Sequence, residues 1–218
     1  MKKNKISKNW INKQRRDIYV RRSKIEGYRS RAIYKLKEID EKFKILKQSR
    51  AVVDLGAAPG SWSQYLAKNI KNGKILSIDL LQFEPIKNTH QIVGDFTDGK
   101  YKAQIKNYFN GKIDVIVSDM AVNTTGNKNL DSIVTGELCL EAMKFSLDVL
   151  DQKGRFVSKL FMGSSFNEIV ADAKKLFKEG LKGNPEDKCS KMYVKRCEYM
   201  KKNPPEGEWD GVWVMKTK

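Results

Sequence analysis

The chain has 218 residues, of which 40% are hydrophobic, and its formal net charge is +17. No apolar run reaches the roughly 18 residues that a helix needs to cross a bilayer, so the sequence predicts no membrane span. The three cysteines have spacings typical of neither a disulfide framework nor a zinc site: Cys139, Cys189 and Cys197. Because no apolar segment follows the basic start, we expect a cytoplasmic protein. Because the sequence shows no cluster of metal ligands, we expect no bound metal.

The positive charge is concentrated in the first part of the chain. Residues 1–50 carry 18 Lys or Arg against 5 Asp or Glu, whereas residues 51–177 carry 15 against 14. Clustered basic side chains neutralise backbone phosphates. We therefore expect residues 1–45 to form a nucleic-acid-binding arm, with a helix that packs on a domain at 46–218. An acidic membrane surface is the weaker alternative.

The predicted elements alternate between helices and strands. A helical pattern runs from Asp17 to about Phe43, and Ser30 is suited to cap its second part. Apolar runs and helical periodicity predict strands at 50–56, 74–80, 90–95, 113–120 and 154–162, and helices at 60–70, 130–150 and 166–178. This order predicts an α/β fold, with a mostly parallel sheet covered by helices on both faces.

In such sheets, ligands bind beyond the carboxyl ends of the strands. The candidate site residues fall at those ends: Gly56, Asp79, Asp95, Asp119 and Lys159. Lys159 is distinctive because "FVS" and "LFM" on either side predict a buried strand, where a charge is costly. We therefore expect one site at this edge of the sheet.

The turn "GAAPG" at residues 56–60 follows the first strand. A dinucleotide fingerprint would have a further glycine in the middle, and a P-loop would end in Gly-Lys-Ser or Gly-Lys-Thr. Asp79 lies 25 residues after Asp54, near the spacing at which an acid binds ribose hydroxyls. The pattern favours an adenosine without a pyrophosphate, and S-adenosylmethionine fits; the alternative is a plain tight turn.

Several segments resemble the FtsJ family of ribose 2′-O-methyltransferases, in the family's order, between about residues 9 and 177. They are "GYRSRAIYKLKEID", "DLGAAPGSWSQYL", "VGDFTD", "VSDMAVNTTG" and "GRFVSKLFMG". They are most similar to the bacterial branch, which methylates a uridine of large-subunit ribosomal RNA. The resemblance implies a Rossmann-like sheet, S-adenosylmethionine as the methyl donor, and ribosomal RNA within the large subunit as the partner. We expect a monomer.

The resemblance also implies donor-binding roles for five residues. Gly60 and Trp62 match positions that contact the donor in the first loop, although Trp62 could instead pack in the core. Asp79 matches the acid that ends the second strand, and Asp95 matches the acid near the adenine. Asp119 falls at the methionine end of the donor and at the active centre.

Lys35 and Lys159 match the two catalytic lysines of the family, which act together with Asp119. A ribose 2′-hydroxyl must lose its proton as it attacks the methyl group. A lysine can accept this proton if burial or a nearby cation lowers its pKa. We assign Lys159 as the general base, Lys35 as its electrostatic and positioning partner, and Asp119 as the residue that orients Lys159.

The sequence departs from the family pattern in two places. Val122 replaces a proline beside the predicted active centre. The family's fourth catalytic residue is a glutamate near the last strand, but Lys191 stands at the nearest match, which leaves Glu198, Glu208 and Asp210 as candidates.

Two alternatives to this function stay open. One is a methyltransferase for transfer RNA, and the other is a catalytically weakened RNA-binding or ribosome-assembly factor with the same fold.

Overall fold

The computed structural model describes residues 16–121, 125–161, 163 and 165–183. The five predicted strands and the predicted helices are present, with ends that differ by a few residues. In chain order the elements are α1 (Ile18–Ile25), α2 (Ile33–Phe43), β1 (Ala51–Leu55), α3 (Ser61–Asn69), β2 (Lys74–Asp79), β3 (His90–Val93), α4 (Gly99–Phe109), β4 (Ile113–Ser118), α5 (Lys128–Val149), β5 (Leu150–Ser158) and α6 (Phe166–Gly183). Within the described ranges, no helix is both long and apolar enough to cross a membrane.

The strands form one parallel sheet in the order β3-β2-β1-β4-β5. The chain builds outward from β1 to β2 and β3, and it then returns to place β4 and β5 on the other side of β1. The carboxyl ends of β1 and β4 therefore flank the switch point, where parallel sheets of this kind bind ligands. The parallel α/β fold predicted from the sequence is confirmed.

The sheet separates two hydrophobic cores, because successive strand residues face opposite sides. On one face, Val53 packs in a cluster with Phe145 of α5. On the other face, Val52 packs in a cluster with Leu36 of α2 and Leu66 of α3. Leu36 is fully buried, so the second helix of the basic segment is part of the main core.

The helical pattern predicted from Asp17 to Phe43 is interrupted, and α1 and α2 are separate helices. The Asp17 side chain accepts hydrogen bonds from the first turn of α1 and caps it. The Ser30 hydroxyl accepts from the N–H of Ala32 over 3.2 Å, but Ala32 is the N-cap of α2 and has no side-chain capping bond, so the prediction that Ser30 caps this helix is wrong. The segment between the two helices, residues 26–32, lies against the start of α3, and its contacts matter for the site described below.

Helix α4 was not predicted, although its signals are in the sequence. Tyr101, Ile105 and Phe109 are spaced by four residues, and all three pack in the core that contains Val53 and Phe145. Asp98 precedes the helix, and its carboxylate accepts from the N–H of Lys100 over 2.9 Å. This is the acidic N-cap and apolar face expected of a surface helix.

Candidate active site

The turn after β1 is shaped by a close approach between two neighbouring strands. Gly56 has a φ of +74°, and a Cβ added there would lie 2.7–2.8 Å from atoms of Met120, which follows β4. The N–H of Asp119 donates to the carbonyl of Leu55 over 3.1 Å at the same level. Only glycine fits this position, since a side chain would push the ends of β1 and β4 apart.

Asp79 fixes the loops that follow β1 and β2. Its Oδ2 accepts from the N–H of Ala58, and its Oδ1 accepts from the N–H of Leu81, each over 2.8 Å. The carboxylate therefore holds the first loop against the end of β2, which is the position expected of an acid that borders a nucleoside site.

A buried polar network lies directly beneath the first loop. Asp54 in β1 is fully buried, and its Oδ2 accepts from the hydroxyl of Ser63 over 2.5 Å. The oxygens of Ser63 and Ser77 lie 2.7 Å apart. Burial raises the pKa of Asp54 to about 7, the Ser63 hydrogen bond opposes this, and the charges of Asp119 and Asp79 add to it. Three carboxyl groups thus converge where the strands end.

Asp119 and Lys159 meet at the carboxyl ends of the neighbouring strands β4 and β5. The Nζ of Lys159 lies 2.6 Å from Oδ1 of Asp119 and donates to its backbone carbonyl over 3.0 Å. The N–H of Lys159 donates to the carbonyl of Ser118 over 2.8 Å. Strand β5 ends at Ser158, so Lys159 follows the strand instead of lying inside it as predicted. Each of the two side chains is 22% exposed, which leaves the pair accessible from the edge of the sheet.

Lys35 and Trp62 lie on the arm side of the site. Lys35 is in the first turn of α2 and its side chain is exposed, while its position beside Lys159 stays a prediction. Trp62 is buried in the core with Leu36, and its indole N–H donates to the carbonyl of Ala32 over 2.8 Å. The side chain of Trp62 therefore packs in the core, which is the alternative that the sequence left open. A contact between Trp62 and the methyl donor stays a prediction.

Asp95 lies in the turn that follows β3, with an exposed side chain. Its Oδ1 accepts from both the N–H and the hydroxyl of Thr97, and these bonds lower the pKa of the carboxyl group. Asp95 is therefore a fixed, ionised acceptor at the edge where β2 and β3 end. A role near the adenine stays a prediction.

The chemistry of this edge suits S-adenosylmethionine better than a pyrophosphate-containing nucleotide. The carboxylates of Asp79 and Asp119 would repel a pyrophosphate, whereas they complement a positively charged sulfonium. In the ranges that the structure describes, no cluster of three or more His, Cys, Asp or Glu could hold a metal ion.

Val122 and the candidates for the fourth catalytic position lie outside the described residues.

One residue with several contacts at this edge was missed from the sequence. The side chain of Arg29 bonds to the backbone on both sides of the site. Its acceptors are main-chain carbonyls, which leave no mark in the sequence, and one arginine among many basic residues carries no signal of its own.

Comparison with known proteins gives consistent results. A family model described as FtsJ-like methyltransferase matches residues 28–191. A protein named ribosomal RNA large subunit methyltransferase E from Pelagibacter ubique is 65% identical over 179 residues, which cover 82% of this chain and 88% of that protein. The protein of the same name from Rickettsia akari is 47% identical over 79% of this chain and 78% of its own length.

Solved structures agree with the sequence relatives. A crystal structure of a ribosomal RNA methyltransferase from Plasmodium falciparum superposes with a TM-score of 0.62 and 34% identity. The match covers 68% of this chain and 86% of that one.

Proposed function

Because the chain belongs to the FtsJ-like methyltransferase family, we propose that it transfers a methyl group from S-adenosylmethionine to a ribose 2′-hydroxyl of a uridine in 23S ribosomal RNA. Two observations support this function. The relatives at 65% and 47% identity are named as methyltransferases of large-subunit ribosomal RNA. The Nζ of Lys159, 2.6 Å from Oδ1 of Asp119, places the proposed base beside the switch point of the sheet.

The donor supplies an electrophilic methyl group on a sulfonium, so the protein's task is to position the hydroxyl and remove its proton. Lys159 Nζ, in its neutral form, would be the general base: it would accept the proton of the 2′-hydroxyl as the 2′-oxygen bonds to the methyl carbon, while the carbon–sulfur bond breaks and the donor leaves as a neutral thioether. Asp119 holds Nζ through both its carboxylate and its backbone carbonyl. Two contacts to one residue restrict where Nζ can lie, which favours reactive geometry.

The remaining residues bind and orient. Asp79 and the loop that it holds, with Gly60, border the nucleoside part of the donor, and Asp95 lies toward its base. Trp62 supports the loop from the core side. Lys35 lies on the helix of the arm and acts as the electrostatic and positioning partner of Lys159.

The wider assignment follows from the same premise. Residues 1–45 form the RNA-docking arm and its helix, and 46–218 form the methyltransferase domain. The substrate is the large ribosomal subunit rather than free RNA, and the enzyme acts as a cytoplasmic monomer.

The test is methyl transfer from labelled S-adenosylmethionine to large ribosomal subunits that lack the modification. The wild type is compared with Lys159→Ala and with Lys71→Ala, which removes an exposed lysine from the loop after α3. We expect label on 23S RNA with the wild type and Lys71→Ala, and a loss of at least about 100-fold with Lys159→Ala. Nuclease digestion and mass spectrometry then locate the methylated ribose.

Other outcomes point to other functions. Label on transfer RNA alone would reassign the substrate. If the wild type binds the donor but labels no RNA, the chain is an RNA-binding or assembly factor that has kept the fold.

A further inference from the structure

Arg29 makes a set of contacts that the proposed chemistry does not use. Its Nη1 donates to the carbonyl of Pro59 over 3.0 Å and to that of Glu84 over 2.7 Å, and its Nη2 donates to Pro85 over 3.3 Å. Pro59 is in the first loop, and the two others are in the loop between β2 and β3. One guanidinium therefore joins the two loops that follow β1 and β2.

The absence of a side chain at Gly60 permits this contact. A Cβ at Gly60 would lie 2.7 Å from Nη1 of Arg29, and its φ is +104°. The guanidinium also lies 5.9 Å from the centroid of the Phe83 ring. The planar, multiply donating head of arginine suits three acceptors and an aromatic ring better than the ammonium of lysine does.

The main chain of the arm is held at the same point. The N–H of Arg29 donates to Oε1 of Gln64 over 3.0 Å, and Nε2 of Gln64 donates to the carbonyl of Gly27 over 3.1 Å. The hydroxyls of Ser30 and Ser61 lie 2.7 Å apart. The segment that carries Arg29 is therefore fixed to the first turns of α3. This holds the guanidinium against the two loops and restricts its movement toward solvent or RNA.

We propose that Arg29 is a positioning residue that clamps the two donor-binding loops together and links the RNA-docking arm to donor binding. The proposal rests on the proposed function only in taking S-adenosylmethionine as the ligand of this edge. Since the clamp belongs to the arm, RNA that tightens the clamp when it binds the arm raises donor affinity, and the donor then raises RNA affinity by the same factor.

The experiment measures binding of S-adenosylhomocysteine by calorimetry to the full chain and to Arg29→Ala, Arg29→Lys and Arg31→Ala. Arg31 is the matched control, since it belongs to the same segment but pairs with Asp17. We expect Arg29→Ala to weaken binding about tenfold, Arg29→Lys to weaken it less, and Arg31→Ala to leave it within about twofold. Hydrogen exchange of the unliganded proteins should be faster at Gly60 and at residues 83–89 in the two Arg29 variants only.

RNA binding separates the clamp from a direct phosphate contact. The salt dependence of RNA affinity should be the same for Arg29→Ala and the wild type. A slope reduced by about one, with donor binding unchanged, would make Arg29 a phosphate ligand and overturn the proposal. If Arg29→Ala does not fold, Arg29→Lys decides by the same measurements. If the wild type binds no donor, the proposed function fails, and unchanged exchange in the two loops would then overturn the clamp as well.

Discussion

The Ser63 hydroxyl donates a hydrogen bond to the fully buried carboxyl of Asp54 over 2.5 Å, and this bond joins helix α3 to strand β1 beneath the first loop. The second oxygen of Asp54 has no hydrogen-bond partner among the described residues. A charge at this site is therefore poorly solvated, which is why the pKa of Asp54 is raised to about 7.

The first prediction concerns how this carboxyl changes stability with pH. The folded state holds the proton up to about pH 7, whereas the unfolded state releases it near pH 4. The contribution of Asp54 to stability is therefore full below about pH 4 and is lost as pH rises to 7. In urea titrations, the stability of the wild type relative to Asp54→Asn should fall by about 3 kcal/mol between pH 5 and pH 8.

Ser63→Ala provides the complementary variant. The Ser63 bond opposes the rise in the pKa of Asp54, so its removal should raise that pKa further and extend the pH-dependent loss above pH 7. Parallel stability curves for the wild type and Asp54→Asn would show that Asp54 is already ionised in the folded protein.

The second prediction concerns the close approach of β1 and β4. Gly56→Ala places a methyl group 2.7–2.8 Å from Met120, two of whose three nearest atoms are backbone. Together with the cost of a positive φ, we expect a loss of about 3 kcal/mol in the free energy of unfolding, and weaker donor binding. Gly99→Ala is the control, because a Cβ there meets nothing within 4 Å, and its stability should stay within about 0.5 kcal/mol of the wild type. Equal stability of the two variants would contradict the packing argument.

The strands and most helices could be predicted because their signals are local. The apolar runs of β1 and β4 and the glycine-containing turn at 56–60 are visible in the sequence, and their order predicts the parallel sheet. Helix α4 had the same kind of signal in Tyr101, Ile105 and Phe109, but its polar residues concealed the period.

The contacts that build the site were harder to predict, for a physical reason. The family resemblance predicted that Asp119 orients Lys159, but the residues alone do not show it, because the contact depends on β4 and β5 being neighbours although 40 residues separate the two side chains. The clamp formed by Arg29 depends on main-chain carbonyls, which every residue possesses. Sequence patterns identify a side chain whose type is unusual for its surroundings. They do not identify one arginine among many basic residues whose position is set by the fold.

The third prediction concerns the basic start of the chain. Replacing Lys2, Lys3, Lys5, Lys8 and Lys13 by Gln removes five positive charges and keeps the length. If these lysines bind phosphates, RNA affinity should fall, and the slope of log K against log salt should flatten by about 0.7 to 0.9 for each phosphate that is no longer neutralised. Donor affinity in the absence of RNA should not change. An unchanged slope would show that the docking surface lies elsewhere.

The last prediction compares two lysine–aspartate pairs in the same molecule. Asp119→Asn keeps the shape of the side chain beside Lys159 and removes its charge, and Asp148→Asn does the same beside Lys106 on the surface. If Asp119 orients the base, Asp119→Asn should lower kcat by about 100-fold or more.

The control pair should behave differently. Asp148→Asn should leave kcat unchanged and cost at most about 1 kcal/mol of stability, because both Asp148 and Lys106 are exposed. Circular dichroism and donor binding check that both variants are folded. A value of kcat for Asp119→Asn within a few-fold of the wild type would mean that Lys159 needs no carboxylate partner, and the base would then be positioned by the Asp119 carbonyl alone.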